Sequence, residues 1–191
     1  MRTKDENKRI AIRDATIAEV VAGGLAGASI ARIAKRANLS QGTIYLYYPT
    51  KDALIRQIYI EIKLDMRNAL MTCFDKTAST AENIRTVWFA LLNYALDQPH
   101  FYAFAEYITA ANLFDEQKEP VLADAERDMK AIITNAIDDG TLKNAPYESL
   151  QAILVAPISH LARKMNTTGK AVSAQTKQAT FDMIWQGIAN A

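Results

Sequence analysis

The chain has 191 residues, half of them hydrophobic and 23% charged, with one cysteine (Cys73) and two histidines (His100, His160). It is long enough to bury a core unaided, too apolar for a disordered chain, and too poor in Cys and His for a disulfide framework or a zinc site. The net charge of +1 is uneven: residues 1–51 hold nine Lys/Arg against four acids, a balance of +5, which leaves −4 for the other 140. A basic N-terminal module on a mildly acidic body is the asymmetry expected when one end meets a polyanion. No apolar run reaches the ~18 residues of a membrane span. The small apolar stretch from Val20 to Ala31 follows Asp14 and Glu19, unlike a signal-peptide core. A cytoplasmic protein without a membrane partner is expected.

The pattern is helical throughout, with no sustained alternation of period two and no internal repeat. The first helix is expected over about 4–21, with Ile10, Ile17, Val20 and Val21 on its apolar stripe and Gly23-Gly24 as its stop. Ser29 caps a short second helix, 30–37. Asn38-Leu39-Ser40 is a tight turn, Asn being tolerant of the left-handed backbone. Ser40 caps a third helix, 41–48, which Pro49 ends, and Thr50 caps a long fourth helix, 51–74. A fifth runs from Ser79 or Thr80 to Asp97. A sixth, 100–114, is apolar on all sides, with Glu106 as its formal charge, and so is expected at the centre of the body. The seventh spans 119–139 and ends at Gly140. The eighth, 147–165, contains Pro157, which predicts a kink. The last, 173–190, carries Phe181, Ile184, Trp185 and Ile188 at i, i+3, i+4, i+7.

Ser29 to Leu54, SIARIAKRANLSQGTIYLYYPTKDAL, has the physics of a helix-turn-helix. Ala34 lets the next helix cross closely. The third helix is too short and too polar at its start for a core element. Gln41, Gly42 and Thr43 are small or hydrogen-bonding groups that suit a major groove. Ile44 and Tyr48, four apart, face the domain; Tyr45 and Tyr47 face out, within reach of phosphate or base edges.

These residues resemble the DNA-binding segment of the TetR family of one-component bacterial repressors. The match over about residues 8–60 runs through Ser29, Ile33, Ala34, Ala37, Ser40, Gly42, Thr43, Tyr45, Tyr47, Tyr48, Lys51 and Leu54. It fixes cap, turn, recognition helix and phosphate-binding lysine together. The departures are Asn38 where the family usually has Gly, Leu25 for an aromatic, Leu46 for a frequent Tyr, and Arg32 where an acid is common. They bear on the operator sequence, not on the fold. Leu46 leaves an apolar contact for a thymine methyl.

The resemblance implies an all-α fold of about nine helices. An N-terminal three-helix helix-turn-helix DNA-binding domain, residues 1–50, precedes a C-terminal helical ligand-binding and dimerisation domain, residues 51–191. It implies that Gln41 and Thr43 read bases and that Gly42 lets the backbone approach the duplex. Leu46 joins them at the interface, and Ser29, Ser40, Tyr45, Tyr47 and Lys51 hold phosphates. Lys4, Lys8 and Arg9 are candidates for further backbone contacts. The implied partners are operator DNA, a small-molecule inducer and a second copy of the chain.

Trp88, Tyr94, Tyr102, Glu106 and Tyr107 are candidates for a ligand pocket, aromatics with a few polar groups suiting a flat apolar molecule. Leu150, Leu154, Ile158, Leu161, Phe181, Ile184, Trp185 and Ile188 are candidates for the dimer interface. No metal cluster, phosphate loop or nucleophile–base pair is present, so no catalytic residue, metal or cofactor is expected. A regulator whose body serves only dimerisation or a protein partner, sensing no small molecule, remains the alternative.

Overall fold

The computed structural model describes residues 2–114 and 119–190, with side chains from Asp5 onward. Among these residues the elements are α1 (Arg2–Gly27), α2 (Ile30–Arg36), α3 (Gln41–Tyr47), α4 (Lys51–Thr72), α5 (Thr80–Asp97), α6 (Pro99–Ala110), α7 (Pro120–Asp138), α8 (Tyr147–Thr168) and α9 (Ala174–Ile188). The described residues contain no strand, only an isolated bridge between Leu142 and Ala189. No helix among them is long and apolar enough to cross a membrane. The chain forms two compact units, residues 1–63 with 100–115, and residues 64–99 with 116–191. The first is therefore wider than the 1–50 segment expected from sequence, and α4 begins in one unit and ends in the other.

In the first unit α1 packs on α2 and α2 on α3. Ser29 and Ser40 both have extended backbone, and their hydroxyls accept from the amides of Arg32 and Thr43, the expected N-caps. Asn38 sits at φ 55. Its amide reaches Lys35 O at 3.2 Å and the Leu39 amide reaches Ala34 O at 2.9 Å. This paired closure ends a helix with a left-handed residue, so Asn serves here where glycine is usual. Ile33, Ile44, Leu54 and Ile58 are wholly buried. They come from α2, α3 and α4 and are the apolar positions that the helical spacing marked.

One expectation holds and one does not. The regular first helix is interrupted at Gly24 (φ 67, ψ 178), at the expected Gly23-Gly24 stop, and a short helical segment follows to Gly27. The positive φ demands glycine here; the Tyr107 hydroxyl, which an added Cβ would overlap, is the tip of an exposed side chain that can move aside. And α6, expected at the centre of the body, belongs to the first unit. The Arg13 guanidinium lies 5.0 Å over the Phe101 ring, and the hydroxyls of Tyr59 and Thr109 are 2.8 Å apart. An all-round apolar helix must be covered, but its composition does not say by what.

A buried acid fastens α1 to α2. The Glu19 side chain is 5% exposed, with Arg36 Nε donating to one oxygen at 2.7 Å and Arg32 Nε 2.6 Å from the other. The sequence used Glu19 only as one of the acids ahead of the apolar stretch and in the charge balance; Arg32 and Arg36, four apart on one helix face, were the available signal.

In the second unit α5 packs on α7 and α8, α7 on α8, and α8 on α9. Ser79 and Glu82 form a full capping box at the start of α5. Trp88 Nε1 donates to Leu154 O at 2.9 Å, and the Trp88 ring meets Phe181 at 5.2 Å. Phe181 stacks on Trp185. This knot joins α5, α8 and α9. α8 runs unbroken through Pro157 from Tyr147 to Thr168. Tyr94 donates to Asp65 at 2.9 Å, and Arg67 Nε to Asp128 at 2.9 Å.

The hydrogen bond from Arg36, then the charges of Arg32 and Arg36, outweigh burial and hold the Glu19 carboxyl below its ordinary range. A carboxyl whose pKa falls on folding stabilises the fold above its unfolded value and stops doing so as pH drops through the folded one. Glu19→Gln is expected to lower Tm at neutral pH. The gap to the parent protein should narrow as pH falls below about 4.5. Thermal melts from pH 7 to pH 3 check this; a gap that widens in acid contradicts it.

Candidate nucleic-acid interface

A seven-residue helix offers few positions, and each on α3 is accounted for. Ile44 and Tyr48 are buried and Thr43 and Tyr47 half-buried. Gln41, Gly42, Tyr45 and Leu46 are exposed, in two rows four residues apart, Gln41 with Tyr45 and Gly42 with Leu46. Leu46 is 85% exposed. No described residue covers it, which a folded protein tolerates at low cost but has no internal use for.

Gly42 is a helical glycine without a conformational reason. Its φ is not positive, and an added Cβ would meet only Ser40 Oγ, at 3.8 Å. Glycine in a helix interior costs ~0.5–1 kcal/mol relative to alanine. The gap it leaves beside Leu46 opens outward, flattening the face that a groove floor would approach.

The candidate phosphate ligands are engaged to different degrees. Ser29 Oγ accepts from the Arg32 amide and keeps its own proton to donate. Ser40 Oγ accepts from the Thr43 amide at 3.1 Å and shares a second bond with Thr43 Oγ1 at 2.9 Å. Tyr45 is 49% exposed. Lys51 Nζ donates to Leu25 O at 2.5 Å. The ammonium has three protons, so Lys51 pins the segment after the Gly24 kink and still has donors to offer.

Tyr47 is less free than the sequence suggested. Its hydroxyl donates to the Asp5 carboxylate, and the Arg9 guanidinium lies 5.3 Å over its ring. The bond to Asp5 is the main reason that the Tyr47 hydroxyl holds its proton more tightly than an ordinary tyrosine. Asp5 lies forty-two residues from Tyr47, and no local pattern signals the pairing. The side chain of Lys4 lies outside the described residues; Lys8 is half-buried and Arg9 exposed.

The pocket candidates fall in both units. Of the pocket set, Trp88 and Tyr94 belong to the second unit, and Tyr102, Glu106 and Tyr107 to the first. The polar atoms of Trp88 and Tyr94 are spent on Leu154 O and Asp65. Tyr102 is buried, Glu106 half-buried, and Tyr107 exposed against Gly24.

The expected dimer stripe is inside the second unit. Leu150, Leu154, Ile158, Leu161, Phe181, Ile184 and Ile188 are all buried, and Trp185 is half-buried on Phe181. The most apolar stripe of each helix packs first into its own core, and the half-buried Trp185 keeps the most surface of the set. The outward sides are milder: Ala152, Ile153, Ala156 and His160 on α8, and Ala179, Met183 and Gly187 on α9. Ile153 is 47% and Met183 67% exposed.

A capped two-helix turn that leaves one short helix with an outward face is the architecture of a DNA-reading head. Comparison with known proteins agrees. Residues 12–58 match the family model for bacterial regulatory proteins of the tetR family. Residues 59–189 match that for the tetracyclin repressor-like C-terminal domain. The chain belongs to the TetR family of DNA-binding transcriptional regulators.

The HTH-type transcriptional regulator BetI of Burkholderia thailandensis is 24% identical over 177 residues, covering 79% of this chain and 90% of that one. An uncharacterised HTH-type regulator of Haemophilus influenzae is 37% identical over 65 residues, 34% of this chain and 35% of that one. The crystal structure of a TetR family transcription regulator from Marinobacter aquaeolei VT8 superposes with a TM-score of 0.88 at 25% identity, over the whole of both chains.

Since nothing in the fold requires glycine at position 42, Gly42→Ala separates folding from reading. The variant is expected to be as stable as the parent, or more so by up to ~1 kcal/mol. It should nevertheless bind duplex DNA more weakly. Denaturant melts and a binding titration on the same preparation check both halves.

Proposed function

We propose that the chain is a dimeric repressor that reads a pseudo-palindromic operator through α3 and is released by a small molecule. The observation that carries the DNA-reading part is the exposed face of α3, where Gln41, Gly42, Tyr45 and Leu46 stand free of the chain's own core. Gln41 and Thr43 supply donors and acceptors for base edges, and Leu46 supplies an apolar contact for a thymine methyl. Ser29, Ser40, Tyr45, Tyr47 and Lys51 supply hydroxyl and ammonium donors for the backbone on either side. Two-fold pairing of heads then sets two half-sites about one helical turn or a little more apart.

The surface proposed for pairing is the outward side of α8 and α9. Its side chains are small or apolar, and Gly187 has no atom within 4 Å of where a Cβ would sit. Small residues of this kind let helices approach closely. Ile153→Glu with Met183→Glu is expected to shift the dimer to monomer without unfolding it, as read by sedimentation. A double variant that stays dimeric places the interface elsewhere.

Release by a ligand rests on family membership alone. The commitment of the Trp88 and Tyr94 polar atoms inside the fold favours a second reading, a regulator that senses no small molecule and uses its body for dimerisation. A ligand panel that raises Tm by saturable binding supports the first; a Tm unmoved across the panel supports the second.

The test of DNA reading is selection of random duplexes by the purified protein at two salt concentrations. An enriched inverted repeat is expected, bound with a steep loss of affinity as salt rises. On that duplex Tyr45→Phe should weaken binding without altering the salt slope, because a neutral hydroxyl displaces no counterion. Loss of the Lys51 charge should reduce the slope by about one. Recovery of no sequence at either salt overturns the reading.

A further inference from the structure

We propose that Tyr47 and Arg9 form a binding site for one backbone phosphate of duplex DNA, and that the carboxylate of Asp5 occupies this site in the free protein. The inference rests on the DNA-binding reading and deepens it: to the phosphate role given to Tyr47 it adds a second residue at the same site and an internal anion that must leave first.

The geometry is that of an anion site already filled. Tyr47 donates its hydroxyl to Asp5, and an ionised carboxylate presents the same kind of charged acceptor oxygen as a phosphodiester. The Arg9 guanidinium lies over the Tyr47 ring, 5.3 Å from its centroid, and its charge acts on the hydroxyl. The Tyr47 hydroxyl keeps its proton and stays a donor throughout the neutral range. Tyr47 lies on α3 directly after Leu46, the most exposed apolar side chain of that helix. The site therefore adjoins the face proposed to meet the groove.

Two anions cannot accept the same proton, and they repel at that range. A phosphate that takes the Tyr47 hydroxyl therefore displaces Asp5. Asp5 is exposed and lies in the opening turns of α1. It can swing aside by rotation of its own side chain, without any unfolding. Arg9 is then left beside the phosphate as its counter-charge. The exchange leaves one donor satisfied throughout, first by an internal anion and then by an external one. Affinity for any duplex is reduced by whatever the internal pair is worth.

The test is a double-substitution cycle on the full chain, with two fluorescent duplexes, the selected inverted repeat and a scrambled sequence of the same length. Asp5→Asn is expected to tighten binding to both by about two- to fivefold, the range of an exposed ionic hydrogen bond. With Tyr47→Phe already in place, the same substitution should give no more than the gain from lost charge alone, which Glu6→Gln in the same background measures. With Tyr47 intact, an Asp5→Asn gain no larger than that of Glu6→Gln, or weaker binding by Asp5→Asn, would overturn the proposal, as would a gain undiminished by Tyr47→Phe. Parent protein that ignores both duplexes at low salt would instead overturn DNA binding itself.

Discussion

A helix of seven residues has no stability of its own, since nucleation consumes more conformational freedom than so few hydrogen bonds return. α3 exists because Ile44, wholly buried, and Tyr48, just beyond its end, are held in the core of the first unit. Every other property of the candidate interface follows from that constraint. With only two positions spent on anchoring, four are left outward, and their direction is fixed by wherever α1, α2 and α4 hold Ile44. The Glu19 carboxylate shared by Arg32 and Arg36, the left-handed Asn38 and the Lys51 bond to Leu25 O all serve this end. Each fixes the angle at which one helix leaves the next.

The same constraint explains why polar groups near α3 carry two duties. Ser40 ends the turn by accepting from the Thr43 amide and sharing a bond with Thr43 Oγ1, yet the residue is exposed. Lys51 stitches the segment after the kink and has donors in reserve. A head this small, with few side chains to assign, uses one residue for fold and for contact. Substitution at such a position mixes the two effects, whereas Gly42, Tyr45 and Leu46 report contact with little admixture.

What was legible in the sequence is what local chemistry dictates. Ser29, Ser40 and Ser79 announce helix starts because a hydroxyl before an apolar run satisfies free amides. Asn38 announces a left-handed turn, and the i, i+4 pair Ile44 and Tyr48 announces the buried side of α3. What was not legible depends on which surface meets which. The stripe on α8 and α9 was correctly seen as apolar, but apolarity does not distinguish a protein's own core from a partner, and the core claims it. α6 was seen as covered on all sides but not by which unit. The pairings of Glu19 with Arg32 and Arg36, and of Asp5 with Tyr47, join residues distant in sequence, and only the fold brings them together.

The charge balance of the head takes on a sharper meaning in this light. Of the four acids among residues 1–51, Glu19 is neutralised by two arginines, Asp14 lies 3.0 Å from Arg13, and Asp5 holds Tyr47. Glu19 fastens α1 to α2 and is buried, while Asp14 is paired with its own neighbour. Asp5 confronts a duplex if Tyr47 meets phosphate, and its effect is blind to sequence because every duplex presents the same backbone. A term common to operator and non-operator DNA cancels from the ratio of their affinities wherever both dock alike, and that ratio, set against the number of competing sites, decides occupancy. The choice of operator must therefore come from groups that meet base edges, which differ from one sequence to the next, and on the proposed reading these are Gln41, Thr43 and Leu46.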